Sequence, residues 1–415
     1  MSRNFLNSFP NPSGLTDSLN NKRVPAFREA NGHIHTPYSF SSFPSMEALF
    51  CNAVNENIKV LGINDFFVTD GYEPFAGACI NNAIFPLFNI EFIGLMREEQ
   101  KKGTRINDPN NPGRIYFSGK GLDYPFNPGF FNKIKLRRVV RESQEQMREM
   151  IGRLNVLLSK ADPSLTLSYD EVRSRYAMSL VRERHLARAI KEMAASRFPE
   201  PERQAAFLES LYGGRKTKAQ PDDHAALENE IRSNLLKSGG AAFVEEKESS
   251  FMEPSQIISL IRAAGGIPCY PVLLDDASGK LTEFERDPAK LHASLSAMKV
   301  DCIELIPGRN DIAVLKDFVR FFHKKNFLIL FGTEHNAPGI EPLLVSARGG
   351  VPLDDELKRI AWEGACLVAA HQYLRAQGRQ GYILPDGKPS SDQKKELAVL
   401  GHMVIEYFLI KYTTE

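Results

Sequence analysis

The chain has 415 residues, 42% hydrophobic and 25% charged, enough apolar material to bury a large core, which excludes a disordered chain and predicts one large domain or two to three smaller ones. Against 52 Lys and Arg stand 51 Asp and Glu, a net charge of +1. No global field draws the protein to nucleic acid or membrane, and an anionic ligand needs a local cluster. Cys51, Cys79, Cys269, Cys302 and Cys366 show no CxxC spacing, which excludes a disulfide framework and a cysteine-based structural zinc site.

Residues 1–28 are rich in Asn, Ser and Pro without periodicity and read as a tail laid along the surface. They lack the apolar core of about 7 to 15 residues found in a secretory leader, and no apolar run of about 18 residues occurs. A cytoplasmic protein without a membrane partner is the expectation. From 29 to 127 strand and helix alternate: a helix over SMEALFCNAVNENI, then the strands KVLGINDFF, IFPLFNIEFIGL and GRIYFSGKG. Helix formers with apolar residues at spacings of three and four dominate 128–250, a helical insertion. Alternation returns over 251–350, with helix PSQIISLIRAAGG, strand IPCYPVLL, a charged helical stretch, strand CIELIPG, helix DIAVLKDFVRFFHKKN and strand FLILFGTEHN. Residues 351–415 form a helical extension. Its apolar stripe, from Ala365 to Leu409, predicts either a helical pair packed on the rest or a surface for homo-oligomers.

Alternating strands and helices build a parallel α/β barrel, whose active site lies at the C-terminal strand ends. Reading each strand to its end gives His33 and His35, Asn64 and Asp65, Glu91, Tyr116, Tyr270, Glu304, and Glu334 with His335. His33 and His35, two apart in the stretch NGHIHTPYSF, share one face of a strand. A histidine at a strand end is ordinarily a satisfied polar group. Glu91 and Glu334 each close an apolar run, where a carboxylate is costly unless paired or bound to a cation. Two imidazoles and two carboxylates suit one Mn²⁺, Fe²⁺ or Zn²⁺.

The order HIHT, GIND, NIE, RHLARAIKE, RAAGGIPCYP, CIELIPG and GTEH resembles the PHP family (polymerase and histidinol phosphatase), above all its branch of nucleotide phosphatases and exoribonucleases. The resemblance covers about residues 29 to 340 and implies a distorted (β/α)7 barrel with a helical insert, and up to three divalent metals that activate water against a phosphomonoester. It implies metal ligands at His33, His35, Glu91 and Glu334. Glu334 stands where the family has Asp, and His335 stands near, though one residue off, the last histidine ligand. The acid expected five residues after the second histidine falls on Phe40, TDH becomes Asn64-Asp65-Phe66, and tyrosines 116 and 270 stand for histidines.

These losses fall on the second and third metals, so one ion per chain is expected. The implied activity is a metal-dependent phosphoesterase on a small phosphorylated metabolite or nucleotide, with Asp65 and His335 assisting catalysis. Tyr116 and Tyr270 either bond to the substrate or fill volume. Arg184 and Arg188, four apart on one helix face, would grip phosphate bidentately, although the family's arginine position is taken by Glu183. The basic run Lys133 to Arg141 reads as a solvated helix face. The alternative is a degenerate barrel kept as a metal- or ligand-binding module without catalysis.

Overall fold

The computed structural model describes residues 4–19, 26–274 and 280–413. Parts of the expected tail (1–3, 20–25), the first residues after the strand IPCYPVLL (275–279) and the C-terminal 414–415 lie outside the described residues. Seven strands form one sheet in chain order: β1 (Ala30–Ile34), β2 (Val60–Phe66), β3 (Phe85–Leu95), β4 (Arg114–Lys120), β5 (Ile267–Val272), β6 (Cys302–Leu305) and β7 (Leu328–Phe331). The ends nearly meet. His35 N–H donates to Glu334 O at 2.8 Å and Glu334 N–H to His33 O at 2.9 Å, so the sheet curls into a barrel.

Six strands run parallel, and β3, β6 and β7 show the near-continuous apolar sequence of strands buried on both faces. β4 differs. It is antiparallel to both β3 and β5, because the β3–β4 link holds only the five-residue helix Arg97–Lys101, too short to return the chain along the barrel as a parallel crossover must. The start of β4 therefore lies at the barrel mouth and its end deep inside.

Fourteen α-helices accompany the sheet among the described residues: α1 (Pro12–Leu19), α2 (Met46–Asn55), α3 (Tyr72–Asn81), α4 (Arg97–Lys101), α5 (Phe130–Ala161), α6 (Tyr169–Tyr176), α7 (Glu183–Arg197), α8 (Pro201–Leu211), α9 (His224–Ile231), α10 (Pro254–Ala263), α11 (Pro288–Ala297), α12 (Ile312–Lys324), α13 (Asp355–Ala376) and α14 (Lys394–Tyr412). Helices α5 to α9 all fall between β4 and β5, and their buried faces form a separate apolar cluster that includes Met150, Leu154, Leu186, Ile190 and Ile231.

The periodicity of residues 168–196 suggests one continuous helix there, yet the chain is extended between α6 and α7. Tertiary contacts win: Gln144 Oε1 accepts Val181 N–H (3.0 Å), Gln144 Nε2 donates to Val181 O (3.2 Å), and Leu180 N–H donates to Tyr38 O at 3.2 Å. That break sets Arg182 at the cap of α7.

Residues 4–19 of the tail carry the helical segments Phe5–Ser8 and Pro12–Leu19, more structure than their composition suggests. Leu6, Phe9 and Leu15 are buried against the C-terminal helices, and Tyr373 O–H donates to Pro10 O at 2.6 Å. α13 lies against β7 and carries α14. A Cβ on Gly401 would lie 1.7 Å from Cys366 O, so only glycine lets these helices approach so closely. Most of the stripe from Ala365 to Leu409 is buried within the chain, with Leu400 partly buried at its edge. Among the described residues no helix is long and apolar enough to cross a membrane.

Candidate metal centre

His33 and His35 leave the same face of the β1 end and aim into the barrel, both buried, with their Nε2 atoms 3.4 Å apart. β3 brings Glu91, whose Oε2 lies 3.3 Å from His35 Nε2 and 4.0 Å from His33 Nε2. The fourth member comes from the turn after β7. Gly332 lets that turn press on β1, since a Cβ there would lie 2.3 Å from His33 Cβ. Glu334 and His335 both adopt positive φ, 71° and 57°, a conformation unusual for side-chain-bearing residues and frequent at functional sites. The double left-handed turn parts them. Glu334 joins His33, His35 and Glu91, the four ligand atoms all within 4.8 Å of one another. The His335 ring instead bonds Thr333 Oγ1 and Glu341 O, both at 2.8 Å, against Phe43.

Beneath the cluster lies a buried polar network. Glu304 on β6 places Oε2 3.0 Å from His33 Nδ1, and takes Lys120 Nζ at 2.5 Å and Ser118 Oγ at 2.5 Å. Lys120 also donates to Asn64 Oδ1 at 3.1 Å. Glu304 thus fixes the His33 tautomer with Nδ1–H toward itself and the Nε2 lone pair toward the cluster, the carboxylate–histidine arrangement common behind metal ligands. Asn64 Nδ2, 2.9 Å from that Nε2, would have to give way to an ion. Burial alone would raise the Glu304 carboxyl, but Lys120 and His33 hold it well below the usual range.

Burial drives both imidazoles toward the neutral form that ligates, His35 to about 3 with Arg182 adding to the effect, and His33 in the same direction. Burial also raises Glu91 to about 7. Its Oε2 has no hydrogen-bond partner. An orphaned buried carboxylate oxygen facing two neutral imidazoles and a second carboxylate is costly as it stands and fits a divalent cation. Glu334, for its part, pairs with Arg309 and takes Asn336 Nδ2 at 2.8 Å.

Asp65 points off the opposite face of β2. It receives Thr36 N–H at 2.8 Å, Thr36 Oγ1 at 2.5 Å and Ser39 Oγ at 2.6 Å, and Ser39 Oγ lies 3.2 Å from His35 Nδ1. Its reach to the cluster is through Ser39 and His35, and burial raises its carboxyl to about 6.

Above the cluster opens a cavity of about 1110 Å³, roofed by the helical segment. His33, Glu91, Glu304, Glu334 and Tyr116 all face it, and Tyr270, Asp65 and His335 do not. Tyr270 O–H donates to the buried Glu285 at 2.9 Å. Arg184 lines the cavity beside Phe40 and donates to Asn229 Oδ1 at 2.9 Å. Arg188 is turned to Glu228, 3.4 Å away. Arg182 sits over the Phe66 ring, which stacks on His35 with centroids 4.7 Å apart. Phe40, where a ligand is expected by resemblance, forms a wall between Arg184, Arg188 and the His185 ring. Glu183 gathers Lys237 at 3.1 Å and Arg232 at 3.6 Å on the same roof.

Ser118 and Lys120 lie outside the set of predicted strand ends. The sequence carries a signal for them: Tyr116, Ser118 and Lys120 alternate through RIYFSGK and so share one face, which the reversed strand turns into the barrel. Arg309, which neutralises Glu334, follows β6 in a short turn and had no periodic signal.

No family model and no curated protein matches the sequence. A crystal structure from Bifidobacterium adolescentis, provisionally assigned as a metal-dependent phosphoesterase, is similar over 81% of this chain and 96% of its own, at 15% identity and a TM-score of 0.52. An amidohydrolase from Chromobacterium violaceum, with bound sulfate and no metal, matches 76% of this chain and 90% of its own at 15% identity, with a TM-score of 0.49. The former likeness is one of fold.

Proposed function

We propose that the chain is a metal-dependent hydrolase, and within that class a phosphoesterase acting on a small phosphorylated metabolite or nucleotide. One observation carries the reading: the unpartnered, buried Glu91 Oε2 facing His33, His35 and Glu334. The residues that would hold one Mn²⁺, Zn²⁺ or Fe²⁺ are those four, and the ion would supply Lewis acidity and activation of water at neutral pH. The phosphoesterase reading draws support from the resemblance to PHP enzymes and from the cationic roof.

The chain's own groups divide the remaining work. Glu304 accepts the His33 Nδ1 proton and keeps that ring oriented, and Ser39, held by Asp65, does the same for His35. Arg182 and Arg184 line the cavity roof, where a guanidinium meets phosphate oxygens with paired N–H donors. Tyr116, at the mouth end of β4, offers a hydroxyl to the same space. The deep, helix-covered cavity restricts water around the ester.

A second reading, a barrel that binds metal or ligand without turnover, is favoured by Phe40 and the Lys120 ammonium standing among the polar groups where further cations would need carboxylates. Elemental analysis of protein purified without chelators, followed by a screen of phosphomonoesters, tests both. About one divalent ion per chain with phosphate release supports the hydrolase. Metal without turnover favours the second reading, and failure to take up metal even after soaking in Mn²⁺ or Zn²⁺ removes the first.

A further inference from the structure

Helix α5 begins with GFFNKIKLRRVVR, and its first two turns carry the largest exposed apolar side chains of the described residues. Phe131 is 78% exposed, Phe130 72% and Ile134 50%. The two phenyl rings meet edge to face at 5.5 Å and touch no other aromatic ring among the described residues. At 3.6 residues per turn, Phe130, Phe131, Ile134, Arg137, Arg138 and Arg141 fall on one side of the helix, opposite the buried Val139. From 124 to 141 there is no Asp or Glu. Among the described residues the one acidic partner of these arginines is Glu142, 3.5 Å from Arg141.

From this face we infer that the start of α5 docks on an anionic lipid surface. The two phenylalanines stand at the helix start and the cations from Lys133 to Arg141 follow within three turns, so the order along the axis matches that of a leaflet, acyl boundary first and anionic headgroups next. A second copy of this chain is disfavoured by charge, because a two-fold interface sets the patch against itself and brings Arg137, Arg138 and Arg141 onto their own equivalents. A single-stranded nucleic acid would suit aromatic rings interleaved with cations, whereas here Phe130 and Phe131 stand together ahead of the first cation, Lys133. The inference is independent of the chemistry at the metal centre, and it departs from the expectation of a solvated face because Phe130 and Phe131 are too exposed for one.

The test is flotation of the full chain with vesicles of phosphatidylcholine alone or mixed with phosphatidylserine. Binding to the mixed vesicles and not to phosphatidylcholine is expected, weakening as salt rises. Phe130→Ser/Phe131→Ser should lower the partition coefficient at least tenfold with an unchanged thermal melt. Arg137→Glu/Arg138→Glu should abolish it, since each basic residue near such a surface contributes about fivefold. In Phe131→Trp the indole emission should shift to the blue on adding the mixed vesicles. No binding to the mixed vesicles overturns the proposal, as does equal binding by the phenylalanine variant. A dimer in sedimentation that this variant dissolves would assign the face to a second copy, and vesicle-independent capture of a single-stranded oligonucleotide by the same residues would assign it to nucleic acid; either overturns the lipid reading.

Discussion

Lys120→Met isolates the network beneath the metal centre. Lys120 is fully buried, with Nζ 2.5 Å from Glu304 Oε2 and 3.1 Å from Asn64 Oδ1. Removing one partner of a buried pair ordinarily costs about 3 to 5 kcal/mol, because the other charge stays buried without compensation. Here Glu304 keeps Ser118 Oγ and the His33 ring, which places the loss at the lower end, about 3 kcal/mol. With an unfolding entropy of about 2.1 cal/mol/K per residue, that lowers Tm by roughly 3 to 4 °C in a cooperative melt. Glu304→Gln in the same background removes the stranded charge while keeping an acceptor for His33, so the double variant should recover more than 1 kcal/mol and the cycle should be non-additive. Metal affinity, read by titration with Zn²⁺, should fall about 10- to 100-fold in Glu304→Ala, which removes the acceptor that orients the His33 ring. A denaturation midpoint indistinguishable from wild type, or strictly additive single and double variants, would refute the reasoning.

His33→Ala and His35→Ala should each remove most metal uptake, and the double variant should lose little more, since both would ligate one ion; independent, additive losses in metal titrations would mark them as ordinary polar side chains. A chelator should lower the Tm of metal-loaded protein, by linkage of binding to folding. Once a phosphorylated substrate is in hand, Arg182→Ala should cost about 1 to 3 kcal/mol in kcat/KM, while Arg188→Lys, turned to Glu228 and off the cavity, should leave kinetics unchanged; the reverse ranking would show that α7 is wrongly placed over the substrate. His371 donates Nε2–H to Gly265 O at 2.6 Å and accepts Tyr382 N–H on Nδ1 at 2.9 Å, and burial depresses it to about 4. The unfolded chain takes up that proton near the ordinary value of 6.5 and the folded one only near 4, so stability is full above 6.5 and is lost as pH falls toward 4. His371→Gln, which can keep both bonds, should reduce the stability difference between pH 7 and pH 5 by about 2 kcal/mol in urea titrations; an unchanged difference would mean that His371 does not resist protonation.

The sequence alone determined the alternation of strands and helices and the helical segment between the fourth and fifth strands, and marked His33, His35, Glu91 and Glu334 as candidates for one site, because period-two strands and buried carboxylates leave local marks. It named Glu304 as a strand end, but its bond to His33 could not be read locally. Tertiary structure decided what depends on direction and on distant partners. The reversal of β4 put Tyr116 at the mouth and Lys120 in the interior, although both read as members of one strand. The left-handed turn at Glu334 and His335 separated adjacent residues that a linear motif treats together. Gln144, far along the chain, interrupted a helix that periodicity would continue and so brought Arg182, rather than Arg188, over the cavity. Each of these outcomes is set by hydrogen bonds or close packing between residues remote in sequence, and local composition carries no record of which remote partner a side chain will meet.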